Sequence, residues 1–530
     1  MLAVVSPKRT SRLLLIGAAL VGPVLYSLLA LYRLHYPGVH YDELLFTNAA
    51  LGPIGDLFIF RRWHGVTLLL MPYIGALKAW FAMPIFTWFG VSVVSIRLPN
   101  VLLTALVLFG LWWLVRRPLG ARLATAATVL LALDPNFIAL TRTDFGPVVF
   151  ALLCRVLVLA VVVWFLRTKK ITTLLWLLPI MAAGLFNKLD FLWCINATFA
   201  ALFLLNLRQV HTWLRTTAGR STLVTLLLGY GVFVWYYLTL LKLGKLSVGL
   251  TGSAIKAHVL QWIVGWCDVL SGEGFFGHAL APYRTVFYGS IGLTLTLILL
   301  AGFYLINTRS QHRAWRSLCN FLVLSLVLAN AQILVTSQAS GPWHYLTVQP
   351  MLALMLVMSL AALYVWARQH FAKVGAGLVV VLCLALIAHF VLVYGLSVRS
   401  YRHPTNVSWS PAIYDLLAYT QSHSGRFLAE DWGMTTQLLA FDRQPNKYFD
   451  VTAAFSNSTP STYANFAHAY FSAKPETTFL FHTQELSVFP EARTKAFAIA
   501  AEFGLTLHKV HEVSDGNRVI FELYQALPKP

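Results

Sequence analysis

Two adjacent carboxylates, Asp42 and Glu43, lie just beyond the first long apolar run of the chain, about residues 13–32. Acids at a lipid boundary are costly to keep, and they are functional hypotheses by default. Similar chemistry recurs between later apolar runs. Thr141-Arg142-Thr143-Asp144 sets a cation beside an acid, and Asn187-Lys188-Leu189-Asp190 does so again. Gly341-Pro342-Trp343-His344-Tyr345 adds a histidine. Each turn alone reads as an ordinary helix end. Together they offer acids, cations and an imidazole, the groups used for proton transfer and charge stabilisation, and they converge if the flanking helices pack as a bundle.

The elements that must position them are membrane helices. The chain is 58% hydrophobic and only 11% charged, against about 25% charged in soluble proteins. Apolar runs of spanning length fall near 13–32, 91–115, 122–140, 147–166, 172–187, 191–207, 221–241, 285–307, 318–336, 346–366 and 374–396, about eleven transmembrane helices. The first run follows Lys8, Arg9 and Arg12 and reads as a retained span rather than a cleaved signal. The net charge of +20 is uneven: 29 Lys/Arg face 8 Asp/Glu before about residue 399, and 11 face 12 after it. Basic clusters occupy alternate loops, which places the N-terminus in the cytoplasm and the C-terminus outside. That bias explains the basic excess without nucleic acid. The eight acids of the membrane part, Asp42, Glu43, Asp56, Asp134, Asp144, Asp190, Asp268 and Glu273, then fall at the outer ends of spans. The five cysteines show neither a metal spacing nor a disulfide framework.

Two domains are expected. Residues 1–398 form a transmembrane domain with long external loops at 33–90 and 242–284, and 399–530 form a small external α/β domain. Within the first loop, the apolar stretch Gly65–Trp88 reads as interfacial helices. The second loop is rich in tryptophan and suits a membrane-surface helix. In the last domain, 425–430, 477–481 and 518–524 read as strands and 491–503 as an amphipathic helix ending at Gly504.

An acidic pair after the first span, a second acid in the next short external turn and a soluble C-terminal domain resemble the C-type glycosyltransferases. The nearest group is that of the protein O-mannosyltransferases and aminoarabinose transferases. Phe89-Gly90-Val91-Ser92-Val93-Val94-Ser95-Ile96-Arg97-Leu98-Pro99 is similar to that group's approach to its second span, and Gly184–Trp193 and Gly341–Tyr345 are similar to stretches of bacterial members. The resemblance covers roughly 10–395. It implies an inverting transferase of a bacterial inner membrane, moving a sugar from a polyprenyl-phosphate donor to an acceptor hydroxyl of a protein, lipid or glycan on the outer side. It assigns Asp42 as general base, Glu43 as a helper or orienting residue, and Asp144 as a positioning acid. Arg142, Lys188 and His344 are candidates for the donor phosphate, on charge and side of the membrane. A divalent ion shared by Asp42 and Asp144 is left open.

Simpler roles are expected elsewhere. Arg155, inside a span, should pair with a neighbouring helix or carbonyl. Lys78 should snorkel, with contact to a lipid phosphate as the alternative. Arg61, Arg62 and His64 should anchor at the interface. A transporter or flippase of a lipid-linked amphiphile is the alternative function. It would place ionisable groups near the midplane and show paired repeats, and the sequence shows neither, Arg155 apart. A non-catalytic assembly protein is a third reading.

Overall fold

The computed structural model describes residues 12–52, 59–245, 255–273, 284–310, 312–337, 339, 341–404, 406–444, 446–452, 477–516 and 518–528. Lys8 and Arg9 lie outside them, as does part of the 242–284 loop. In lipid, backbone N–H and C=O groups must be satisfied within the segment, so apolar runs become helices. In chain order the first elements are α1 (Arg12–Leu31), α2 (Tyr41–Ala50), strands β1 (Arg61–Trp63), β2 (Val66–Met71) and β3 (Ile74–Gly75), α3 (Leu77–Phe89) and α4 (Val93–Leu119). They are followed by α5 (Ala121–Leu133), α6 (Pro135–Thr143), α7 (Val148–Thr168), α8 (Leu177–Asn187), α9 (Phe191–Leu205), α10 (Leu207–Leu214), α11 (Thr217–Leu243) and α12 (Ile255–Ser271). Then come α13 (Arg284–Arg309), α14 (Arg313–Val335), the short α15 (Pro342–Tyr345) and α16 (Met351–Ser400). The last part holds α17 (Ala412–Ser422), β4 (Arg426–Ala429), α18 (Met434–Asp442), β5 (Tyr448–Asp450), β6 (Thr477–His482), α19 (Pro490–Glu502), β7 (Leu505–Ser514) and β8 (Val519–Pro528).

Among the described residues, seven helices are long and apolar enough to cross a membrane, or nine if the bent pairs α5/α6 and α9/α10 each make one span. Eleven runs were expected. Two of them fall on α16, whose 50 residues are two helices joined across a kink at Phe371 and Ala372. Another, 172–187, is a 3-10 turn leading into α8 and is shorter than a span. The 69° bend between α5 and α6 has a local cause. Asp134 leaves the helical conformation and its carboxylate accepts from the N–H groups of Asn136 and Phe137 at 2.9 and 3.2 Å, while Pro135 starts the new helix.

The chain forms two compact units. One comprises residues up to Tyr32, Met71–Lys78 and Arg97–Ser397; the other comprises Arg33–Leu70, Ala79–Ile96 and Val398–Pro530. In the first, the membrane unit, close helix contacts are made at small residues. A Cβ at Gly22 would lie 2.6 Å from the Thr128 side chain, and α1 packs along α5 there.

The second, the sheet unit, is built on a five-stranded sheet of order β5-β4-β6-β8-β7. β5, β4 and β6 are parallel, and β8 and β7 run antiparallel. Leu428, Phe479, Phe481 and Tyr524 form its core with Ala492, Ala496 and Ile499 of α19. Helix α2 lies in this unit, against α18. The Asn48 amide donates to the Thr436 carbonyl at 3.0 Å, Gln437 to Val39 at 2.6 Å, and the Arg443 guanidinium to Leu51 at 2.9 Å.

The stretch expected as interfacial helices differs in its first half. Residues 66–71 form a strand that pairs antiparallel with Arg61–Trp63. His64 and Gly65 both have positive φ, 44° and 82°, which is the backbone of a two-residue hairpin turn. Hydropathy alone cannot separate such a strand from a helix. Helix begins only at Leu77, and the Trp80 indole donates back to the Thr67 carbonyl at 2.9 Å.

Candidate functional site

Asp42 stands in the first turn of α2, where the exposed N–H groups and the helix dipole favour negative charge. The turn is held by a capping box. His40 Nδ1 accepts from the Asp42 N–H at 3.1 Å, and the Glu43 carboxylate accepts from the His40 N–H at 3.4 Å. Glu43 is fully buried, so its carboxylate is committed to shaping the turn, whereas Asp42 is half-buried. The His40 ring stacks on Trp409 at 4.6 Å between centroids, and the Gly38 N–H donates to the Trp409 carbonyl at 2.7 Å. A Cβ at Gly38 would meet the Ser410 carbonyl oxygen at 2.1 Å, so only glycine lets the chain pass there.

Burial pushes the His40 imidazole down to about 3. As a hydrogen-bond acceptor at Nδ1 it must be neutral. In the unfolded chain an imidazole titrates at roughly 6.5. Between these values the unfolded state holds a proton that the fold excludes, so stability is full above about pH 6.5 and declines as pH falls below it. Thermal unfolding of the intact protein should show this decline. His40→Asn, which keeps a capping oxygen but does not titrate, should flatten it. An unchanged slope in the variant would remove His40 from this role.

In the membrane unit, the turns expected to converge do so. Asp144 closes α6 in the left-handed conformation, with φ 49° and ψ 45°. Its Oδ1 accepts from the Val149 N–H at 2.7 Å, which ties the turn to the start of α7. Its Oδ2 pairs with Lys78 Nζ at 3.2 Å, and Lys78 also donates to the Asp144 carbonyl at 3.0 Å. Lys78 is 4% exposed, so it does not snorkel as expected. Residues 71–78 are drawn into the membrane unit by backbone pairing instead: the Leu189 N–H donates to the Tyr73 carbonyl at 3.0 Å, and Ile74 bridges to Lys188.

Lys188 ion-pairs with Asp190 at 3.0 Å, and its Nζ comes within 3.5 Å of a Cβ built on Gly146. The Asn187 amide donates to the Pro147 carbonyl at 2.9 Å. The Arg155 guanidinium also favours the charged form of Asp190. Arg155 lies with its guanidinium 5.7 Å from the Phe191 ring centroid, a helix neighbour as expected. His344 Nδ1 accepts from the Gly341 N–H at 3.3 Å, and its ring meets that of Trp193 at 5.8 Å. Arg142 is fully buried and donates to the Tyr32 carbonyl at 3.3 Å. The membrane unit thus brings Asp144, Lys188 and His344 into one charged region with Lys78, Asp190 and Arg155, while Asp42 and Glu43 belong to the sheet unit. Snorkelling was expected of Lys78 because its sequence neighbours are apolar on both sides, and its pairing with Asp144, 66 residues away, is not visible in the sequence.

Among the described residues no group of three or more His, Cys, Asp or Glu side chains is placed to hold a metal ion. Asp144 is already engaged by Lys78 and the Val149 N–H, so the residues present do not make a metal site of it.

A sequence profile of the dolichyl-phosphate-mannose-protein mannosyltransferases matches residues 75–237, which include Lys78, Arg142, Asp144 and Lys188. The fold matches ArnT from Cupriavidus metallidurans in the apo state, at 14% identity over 96% of this chain and 97% of that one, with a TM-score of 0.55. It matches the same protein bound to undecaprenyl phosphate at 12% identity, over the same shares, with a TM-score of 0.54. The chain has the fold of the C-type membrane glycosyltransferases. The oligosaccharyltransferase of Archaeoglobus fulgidus, tethered with an acceptor peptide, shares the fold at 12% identity over 93% of this chain and 71% of that one, with a TM-score of 0.52. A search of curated protein sequences finds no match to this chain. At these identities the structural likeness carries the fold alone, and Asp42 lies outside the stretch matched by the profile.

Proposed function

We propose that the protein transfers a sugar from a polyprenyl-phosphate donor to an acceptor hydroxyl, with inversion at the anomeric carbon. The observation that carries this reading is the buried cationic region of Lys78, Lys188 and Arg155, with the neutral His344 imidazole near Lys188 and Asp190, within a C-type transferase fold. A lipid-linked phosphate needs cations at the membrane boundary and an apolar surface for its tail, and a bundle of lipid-facing helices supplies the second. Asp42, capped at the start of α2, takes the proton of the acceptor hydroxyl. The hydroxyl oxygen attacks the anomeric carbon, the bond from that carbon to the phosphate oxygen breaks, and the phosphate leaves with the electron pair. Lys188, His344, Arg142 and Lys78 stabilise that charge, and Asp144 orients Lys78. Glu43 holds the turn. A single displacement inverts configuration. The sheet unit faces the outer side of a bacterial inner membrane and the N-terminus the cytoplasm.

The test is to supply purified protein in nanodiscs with radiolabelled polyprenyl-phosphate sugars and to follow release of polyprenyl phosphate. Release dependent on the protein supports the reading. Donors that all stay intact in the presence of folded protein and a mixed pool of glycolipid, glycan and peptide acceptors would overturn it.

A further inference from the structure

The sheet unit holds a second set of ionisable side chains. Glu430 and Asp431 follow β4, Asp450 ends β5 and His482 ends β6, so all four lie at the carboxyl ends of parallel strands. From β4 the chain passes through α18 to β5 on one side. From β6 it passes through α19 to β7 and β8 on the other. Where such connections diverge, the carboxyl ends of neighbouring strands leave a crevice, and open α/β sheets bind ligands there. The divergence falls between β4 and β6.

Asp431 is fully engaged. Its Oδ1 accepts from the Trp432 N–H at 2.8 Å, and its Oδ2 accepts from His482 Nδ1 at 2.9 Å and from the Val488 N–H at 3.0 Å. Glu430 is not engaged. It is 1% exposed, and neither carboxyl oxygen has a hydrogen-bond partner among the described residues. Leaving a buried polar group unsatisfied is costly, so these two oxygens mark a place for an incoming donor. Burial, with the charge of Asp450, pushes the Glu430 carboxyl well above the usual carboxylate range. A neutral carboxyl both donates and accepts, which suits adjacent hydroxyl groups better than an ammonium ion. No metal-binding group of three is formed there among the described residues.

An aromatic cluster follows Glu430 two residues further along the chain. The Trp432 indole is 41% exposed and meets Tyr41 edge-on at 5.6 Å and Phe489 at 6.1 Å. Gly433, at φ 86°, lets this loop close on Tyr41, since a Cβ there would lie 2.6 Å from Tyr41 Cδ1. Tyr41 immediately precedes the proposed base.

We propose that the crevice between β4 and β6 is a saccharide-binding site, with Glu430 satisfying sugar hydroxyls and Trp432 packing against the sugar's C–H face. This makes the acceptor a carbohydrate. The word acceptor rests on the transferase reading; saccharide binding rests on the crevice alone.

The test uses the full chain, purified in detergent. Saturation-transfer NMR is run with methyl hexosides, with disaccharides and with a serine/threonine-rich peptide. The intact protein should bind a saccharide, and Glu430→Gln and Trp432→Ala should each weaken binding by about tenfold, the size of one hydrogen bond or stacking contact. Trp432→Phe, which keeps an aromatic face, should retain most of it and so separates lost stacking from lost folding. Binding of the peptide alone, binding of no saccharide up to about 50 mM, a concentration weaker than any useful acceptor affinity, or equal binding by the intact protein and both weakened variants would each overturn the site. Protein-dependent donor cleavage combined with any of those results leaves the transferase standing without this crevice. Saccharide binding without any donor cleavage leaves the crevice standing without the transferase.

Discussion

Asp42→Asn should lower the rate of sugar transfer by about 100- to 10,000-fold, the range a general base contributes, with little change in the donor KM. The variant keeps the size of the side chain and the backbone contact from the Asp42 N–H to His40, so α2 should remain capped. Loss confined to kcat would therefore report chemistry rather than folding. Asp42→Glu keeps a carboxylate on a longer arm and should recover part of the rate. A transfer rate in Asp42→Asn within about threefold of the intact protein, far below the general-base range, would move the base elsewhere.

The second large effect is expected at Lys78. Its ammonium group is held by both the carboxylate and the carbonyl of Asp144, and the two side chains are 5% and 0% exposed. Lys78→Met would leave a buried carboxylate without its partner, which costs about 3–5 kcal/mol. Thermal unfolding in detergent should show this as a large drop in Tm. Adding Asp144→Asn should return much of the loss, because Asn removes the charge while its oxygen still accepts from the Val149 N–H. Sugar transfer should stay low in the rescued double variant, since the cation proposed to stabilise the leaving phosphate is still absent. Stability of Lys78→Met within about 1 kcal/mol of the intact protein, the level of an exposed ion pair, would contradict the buried pairing.

The membrane helices were legible because lipid imposes one rule, a long apolar run, and every such run is helical here. Broken spans were less legible. The Asp134-Pro135 step carries its own capping signal but sits inside an apolar stretch of spanning length. In the sheet unit, β4, β6, β8 and α19 lie close to their expected positions, because apolar and β-branched residues mark them. Strand β7 was missed. It is an edge strand whose His508, Lys509, His511 and Glu512 are mostly solvated, and edge strands are kept polar to avoid pairing with other chains. The association of residues 33–70 and 79–96 with 398–530 is a long-range fact that hydropathy does not encode. It shows why Asp42 is positioned by Trp409 and α18 as well as by its own helix. Likewise Asp144 was visible as an acid in a short turn, but its partner Lys78 lies 66 residues away.

The most direct measurement of the central claim uses proteoliposomes loaded with a polyprenyl-phosphate sugar labelled in both the sugar and the lipid. The intact protein should separate the two labels, giving a glycosylated product of inverted anomeric configuration and free polyprenyl phosphate, and Asp42→Asn should leave them joined. Movement of the doubly labelled donor across the bilayer with its sugar–phosphate bond intact, equal in both proteins, would contradict a transferase and make the chain a transporter of that lipid.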